Sequence, residues 1–129
     1  MIKNRSPLHF DSKNMTRWNW MAQHRELLKI HGSADIGAFT YINARFGVEI
    51  EKAVQIGSHC SIYSHSTIDN KKGKVTIKEG ARIGSHCTVM PGVTIGEDSL
   101  VAAHSFVNKN VPDGYIAKGI PVKISKLKK

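Results

Sequence analysis

The sequence predicts an all-β chain wound as a parallel β-helix of hexapeptide repeats, and three observations carry that expectation. Between Ile77 and Val111 an aliphatic residue heads every block of six: Ile77, Ile83, Val89, Ile95, Val101 and Val107. Four places after each head stands a small or short residue: Ala81, Cys87, Val93, Ser99, Ser105 and Val111. A sustained period of six fits neither the 3.6 of a helix nor the two of an alternating strand, and fixed-period self-similarity marks a repeat architecture. Each six is then a short strand plus a corner, with the head and the small residue inside and three sixes to a turn. Stacked turns form parallel sheets whose strands lie about 4.8 Å apart.

Taken in order, residues 1–29 read as an arm or cap. Met1–Asn14 is polar and without pattern. Thr16–Lys29 admits two readings. Thr16 can cap a short helix with Trp18, Met21, Arg25 and Leu28 at helical spacing, or the chain enters the first coil as a strand over Glu26–Ile30. The repeat then spans residues 30–111. Ile30, Ile36, Ile42 and Val48 head four blocks; Ile56 follows eight residues on, so two extra residues interrupt the phase inside EIEKAVQ. Ile62 and Ile68 resume the count, and a nine-residue step to Ile77 carries the polar insertion DNKKGK at 69–74. Residues 112–129 leave the repeat through Pro112-Asp113-Gly114 and the Gly119–Pro121 turn into a basic tail. A lone short solenoid exposes sheet faces and an open end, so oligomerisation and a capping arm are expected.

At 129 residues the chain has room for one core. Its net charge of +9 favours anionic partners such as cofactor phosphates, a nucleotide-linked substrate or an acidic membrane face. Part of that charge, above all in Lys123–Lys129, reads as solvated surface, with peripheral membrane contact open to the tail. A nucleic-acid partner is not expected, because the only aromatic residues interleaved with basic ones are Trp18 and Trp20 beside Arg17 and Arg25. No signal peptide or spanning run is visible, which points to the cytoplasm. Cys60 and Cys87 each stand fifth in their block, where a thiol reads as a small inward-facing residue.

The segment IGSHCTVMPGVTIGEDSLVAAHSFVNKNVPDGYIAKGIPVK resembles the C-terminal half of hexapeptide-repeat acetyltransferases of the galactoside, maltose and serine kind. The likeness covers residues 30–124 and rests on IG-x4-V-x-PGV-x-IG-x4-V, closing in G-x-P-x-[KR]. It implies a left-handed coil, against the usual right-handed crossover. It also implies a homotrimer and acetyl-CoA-dependent transfer at clefts between subunits.

Four histidines stand fourth in their blocks and should point outward at a corner: His59, His65, His86 and His104. Three blocks per turn, counted from Ile62, Ile83 and Val101, aligns His65, His86 and His104 along one edge. His65 comes directly before the insertion, where a loop can fold over a cleft. Acyl transfer from a thioester needs a base for the acceptor hydroxyl or amine, and imidazole titrates in the right range. The family's general base is a histidine ahead of a comparable loop, so the resemblance implies His65, with His86 and His104 as runners-up. The stretch from Ile56-Gly57 to His65 is shorter than in galactoside-type enzymes by roughly one hexapeptide. The galactoside-type Y-x-N segment and its following acid match Asn43 and Glu51, which the resemblance implies bind acceptor hydroxyls. For acetyl-CoA it implies Ser85 and Ala103 along a groove, with Lys109, Lys118 and Lys123 on the phosphates. Arg82 replaces the family's tryptophan before IGS and suits an anionic ligand, and His104 replaces the glycine of GAGS.

The leading expectation is a sugar acetyltransferase, O- or N-linked, transferring directly with a backbone N–H, that of Ser85, on the oxyanion. The compact chain lacks the N-terminal helical domain of serine acetyltransferases, which weighs against serine as acceptor. Two alternatives stand beside it. One is a trimeric scaffold without a site. The other is a zinc carbonic anhydrase of the left-handed-helix type. The second needs a closely spaced histidine pair that is absent, since His59 and His65 should lie on different faces; no metal is expected.

Overall fold

The structure, a computed structural model, describes residues 8–127. The chain runs in rotation through three sheets. The first coil is β1 (Met21–Gln23), a 3-10 turn at Arg25–Leu27, β2 (Leu28–Ile30) and β3 (Asp35–Ile36). The second is β4 (Tyr41–Asn43), β5 (Val48–Ile50) and β6 (Gln55–Ile56). The third starts with β7 (Ser61–Tyr63), breaks for an antiparallel hairpin of β8 (His65–Ser66) and β9 (Lys71–Lys72), and resumes with β10 (Val75–Ile77) and β11 (Arg82–Ile83). The fourth is β12 (Thr88–Val89), β13 (Thr94–Ile95) and β14 (Leu100–Val101). The fifth has β15 (Phe106–Val107), a bridge from Val111 to Ile95, and β16 (Tyr115–Lys118), against which β17 (Lys123–Lys126) returns antiparallel.

The first sheet stacks β1-β4-β7-β12-β15, the second β2-β5-β10-β13, and the third β3-β6-β11-β14-β16-β17. The register explains the hexapeptide. Ile42, Ile62, Val89 and Val107 form one inward column. Ile30, Ile50, Ile77 and Ile95 form the second, and Ile36, Ile56, Ile83 and Val101 the third. Ile42, Ile62, Ile77, Ile95, Val89, Val101 and Val107 are fully buried. Each such side chain contributes on the order of 1.5–3 kcal/mol relative to exposure.

That register corrects the phase read from sequence. The head of the second coil's middle strand is Ile50, not Val48; Val48 pairs with Leu28 and Val75 in a second inward row. The two extra residues therefore lie between Ile42 and Ile50 and not inside EIEKAVQ. Eight residues also separate Ala22 from Ile30, and fifteen separate Ile62 from Ile77, while Val89 to Ile95 is a plain six. Ile68 is no head: it is 96% exposed on the hairpin. Every departure from six thus falls on one edge of the prism, between the first and second sheets: the step lengthens there in three consecutive coils and shortens to four in the last, where Val111 bridges Ile95.

At the edge between the third and first sheets the corners are tight. Phe39, His59, His86 and His104 take left-handed backbone there, with φ of 59–66°, a region histidine tolerates better than a β-branched residue. Two residues ahead of three of these, glycine is required by space alone. A Cβ on Gly57 would lie 2.7 Å from the Ser85 nitrogen, and one on Gly84 2.6 Å from the Ala103 nitrogen.

The first coil opens at Met21, inside the segment read as a cap, and of the two readings for residues 16–29 the strand entry holds, as Leu28–Ile30. Trp20 is fully buried, with Phe10 edge-on to it at 5.7 Å. Leu8, Phe10 and Trp18 pack against the core around it. At the other end Lys123 and Lys126 belong to β17. Of the expected arm and tail, residues 1–7, Lys128 and Lys129 lie outside the described residues.

Candidate active site

The widened corners stack beside the outer face of the first sheet and enclose a cleft of ≈ 490 Å³. Gln23, Tyr41, Asn43 and Tyr63 line it from the sheet, His65 and Asp69 from the hairpin, and Thr88, Met90 and Phe106 from the lower coils. Its polar wall is pre-ordered. The Tyr41 hydroxyl donates to Gln23 Oε1 at 2.5 Å, the Asn43 Nδ2 donates to the Tyr41 oxygen at 3.3 Å, and Asn43 Oδ1 accepts the Arg45 N–H at 3.1 Å. Desolvation raises the Tyr41 phenol above its ordinary value, so it stays a neutral donor. The Tyr41 and Tyr63 rings lie 5.8 Å apart.

His65 stands where the chain leaves the first sheet, and its base is firmly tied. Buried Ser64 donates its hydroxyl to the Asn43 carbonyl at 2.7 Å and accepts the Phe46 N–H at 3.0 Å. The Gly73 N–H closes the hairpin onto the Ser64 carbonyl at 2.9 Å. The Phe46 ring meets the imidazole at right angles, centroids 5.2 Å apart. Lys74 ion-pairs with Glu49 at 2.9 Å, and that hydrogen bond holds the Glu49 carboxyl below its ordinary range. A hydrogen bond from Ser66 does the same for Asp69. Among the described residues the imidazole of His65 has no hydrogen-bond partner, which leaves both nitrogens available to a ligand in the cleft.

The remaining residues singled out from sequence fall elsewhere. Glu51 accepts the Glu79 N–H at 3.1 Å on the edge between the second and third sheets, in a separate depression with Lys29 and Glu49. Ser85 and Ala103 stack on the edge between the third and first sheets, where the His104 N–H bonds the Ser85 carbonyl at 2.9 Å. Lys118 and Lys123 face each other across β16 and β17 at the end of that edge. Lys109 is exposed at the fifth coil's corner between the first and second sheets. One chain therefore joins Asn43 with His65, and separately Ser85 with Ala103, Lys118 and Lys123, with the width of the first sheet between the two groups.

The histidine ladder differs from expectation. His59 stacks on His86 at 4.8 Å and His86 on His104 at 4.7 Å, with Phe39 beyond His59 at 5.2 Å; His65 is not part of it. Ile62 belongs to the first sheet, whereas Ile56, Ile83 and Val101 head the third, and the ladder follows those three. Arg82 lies on the outer face of the third sheet, in a depression shared with Glu97, Asp98 and Asp113. Cys60 and Cys87 are buried free thiols donating to the Gly84 and Ala102 carbonyls at 3.2 and 3.0 Å. The hydrogen bond between the two thiols and burial push Cys60 well above the ordinary thiol range. Among the described residues no three His, Cys, Asp or Glu side chains gather into a metal-binding group, and no helix is long and apolar enough to cross a membrane.

Sequence reasoning missed Gln23, Tyr41 and Tyr63. The signal was present: Gln23, Asn43 and Tyr63 are each twenty residues apart, one lengthened coil, and the register pairs them directly. Read on a twenty-residue coil they form one outward column.

The architecture defines a left-handed parallel β-helix of hexapeptide repeats. Residues 74–109 match the family model described as bacterial transferase hexapeptide (six repeats). Over those residues the chain carries the hexapeptide repeats that the model describes. A serine acetyltransferase of Bacillus subtilis (strain 168) is 33% identical over 102 residues, 75% of this chain and 47% of the relative. The chain thus spans about half the length of the curated relatives it matches. A hexapeptide-repeat acetyltransferase of Vibrio cholerae O1 biovar eltor, complexed with acetyl coenzyme A, shares the fold with a TM-score of 0.78 at 26% identity, covering 85% of this chain and 66% of that one. A mutant of AntD, an N-acyltransferase from Bacillus cereus in complex with dTDP and coenzyme A, gives a TM-score of 0.73 at 25% identity, covering 89% and 80%.

Proposed function

We propose that this chain is a cytoplasmic acetyl-CoA-dependent acetyltransferase whose acceptor is a sugar, either nucleotide-linked or a polysaccharide or lipopolysaccharide precursor. The observation that carries the reading is the cleft in which the unbonded His65 imidazole faces the ordered wall of Asn43, Tyr41 and Gln23. A row of amide and phenol groups beside aromatic faces suits a polyhydroxylated ring. Asn43 and Gln23 hold the acceptor, and His65 takes the proton from its hydroxyl or amine as that atom attacks the thioester carbonyl. The Ser85 N–H steadies the oxyanion of the tetrahedral intermediate. The thiolate then leaves and recovers the proton from the imidazolium. Ser85, Ala103, Lys109, Lys118 and Lys123 hold the acyl donor, and Glu51 stands outside this cleft. Because Ser85, Ala103, Lys118 and Lys123 sit on the margin of the first sheet opposite His65, while Lys109 shares the margin of His65, a homotrimer completes the site, one subunit's cleft facing its neighbour's Ser85 edge.

The likeness to serine acetyltransferases favours a second acceptor, the hydroxyl of serine. Thiol release from acetyl-CoA, measured against amino sugars, nucleotide sugars, simple glycosides and serine, separates the readings. Turnover confined to sugars is the expected result, and turnover with serine alone contradicts it. Coenzyme A that fails to bind by calorimetry, with no thiol release, leaves a scaffold.

A further inference from the structure

Four cations surround the corner that carries His65, and their pairing divides them. Lys74 is neutralised by Glu49 at 2.9 Å, and Lys71 reaches Asp69 at 4.0 Å. Arg45 and Lys72 meet no carboxylate among the described residues. Both instead lie over one ring: the Arg45 Cζ is 5.7 Å from the Phe46 centroid, and the Lys72 Nζ is 5.7 Å from the same point. Phe46 is 39% exposed, and its ring sets against His65 at 5.2 Å. Lys72 is also the direct cross-strand partner of His65 in the hairpin. Two unneutralised cations therefore lie over a partly exposed aromatic ring that itself packs against the imidazole.

We propose that Arg45, Phe46 and Lys72 form the phosphate subsite of the acceptor, which is a nucleoside-diphosphate-linked sugar. The proposal rests on the acetyltransferase reading above. A guanidinium fork and an ammonium beside one ring match the several oxygens of a diphosphate, and the exposed part of the ring offers a base an aromatic contact. The diphosphate then stands outside the cleft and the sugar points inward, toward His65 and Asn43. This subsite replaces the expectation attached to Arg82, whose depression is lined by Glu97, Asp98 and Asp113 and repels an anion. Coenzyme A also carries phosphates, so the test must tell the two sources apart.

The test is calorimetric titration of wild type, Arg45→Gln, Lys72→Gln and the double variant with uridine diphosphate, thymidine diphosphate and, separately, coenzyme A. The tighter-binding nucleoside diphosphate should lose about tenfold in affinity per cation removed, as expected for a charge-assisted contact, and wild-type binding should weaken with added salt. Affinity for coenzyme A should not change. In turnover, KM for a nucleotide-linked sugar should rise with kcat held, while a free sugar is unaffected. Equal nucleoside-diphosphate affinity in wild type and the double variant overturns the subsite. A loss that falls on coenzyme A instead also overturns it, by assigning these cations to the acyl donor. The titrations need no catalysis: if no sugar supports thiol release, the acetyltransferase reading falls while they still decide the anion subsite.

Discussion

Gly84→Ala is expected to be a strongly damaging single-methyl change in the coil stack, and its cost follows from distances. The added Cβ would lie 2.6 Å from the Ala103 nitrogen, 2.9 Å from the Ala103 Cα and 3.2 Å from the Ala102 carbonyl carbon, while ordinary contact begins at 3.4 Å. All three atoms are backbone, so no side chain can swing away. The backbone they belong to is held by the Gly84 N–H to Val101 at 2.8 Å, the Ala102 N–H to Ala117 at 2.9 Å and the His104 N–H to Ser85 at 2.9 Å. Relieving the overlap separates adjacent coils by most of an ångström and stretches those bonds together. Overpacking costs about 1–3 kcal/mol where something yields; with only backbone to yield, the upper end applies. At about 3 °C per kcal/mol for a chain of this size, the melting temperature should fall by about 10 °C. Two other glycines are controls. Gly92, at φ +82° with nothing within 4 Å, pays only the left-handed penalty of about 1–2 kcal/mol. Gly32, with open space and ordinary φ, should be neutral or gain up to about 1 kcal/mol as alanine. Thermal melts by far-ultraviolet circular dichroism read all three. A Gly84→Ala protein melting within about 2 °C of wild type refutes the claim that glycine is there for coil contact.

Truncating Ile62 to alanine should cost about 2–5 kcal/mol, because the side chain is fully buried. The same change at Ile68 should stay within about 0.5 kcal/mol; denaturant midpoints that move equally for both would contradict the assignment of heads. The Glu49–Lys74 pair predicts a pH dependence. Its folded-state carboxyl lies below the ordinary 4.5, so its stabilisation is present above pH 4.5 and disappears as the pH falls through the lower folded value. Melting curves of wild type and Glu49→Gln should therefore separate modestly above that pH and converge in acid, the gap being small because both ends are solvated. A gap that widens in acid reverses the sign and rejects the pairing.

Much of this was legible in the residues. The uninterrupted sixes from Ile77 to Val107 fixed coil, core and register, because each head is buried and each step is equal. Legibility failed where two apolar residues compete. Val48 and Ile50 both point inward two residues apart, and spacing alone cannot say which one aligns with Ile77; only the register, which sets Ile50 opposite Ile77 and Val48 opposite Val75, decides it. Ile68 follows Ile62 by six and mimics a head, yet the polar run after it belongs to a hairpin that lifts it into solvent. The same one-edge ambiguity misplaced His65 in the ladder. His65, singled out by its position ahead of the insertion, and Asn43, by its motif, do line one cleft. Gln23 and Tyr63 were not legible, because they join Asn43 only through a twenty-residue coil that the displaced phase concealed.

The central claim is that the imidazole at the widened edge is the proton acceptor of acyl transfer. It is tested most directly by thiol release with the best sugar acceptor, comparing wild type with His65→Ala. Removing a general base should lower kcat by about 10²–10⁴-fold. Coenzyme A affinity should hold, since Ser85 and Ala103 lie on the other margin of the sheet, and the melting curve should not move. Turnover near wild type in a folded His65→Ala protein contradicts the account.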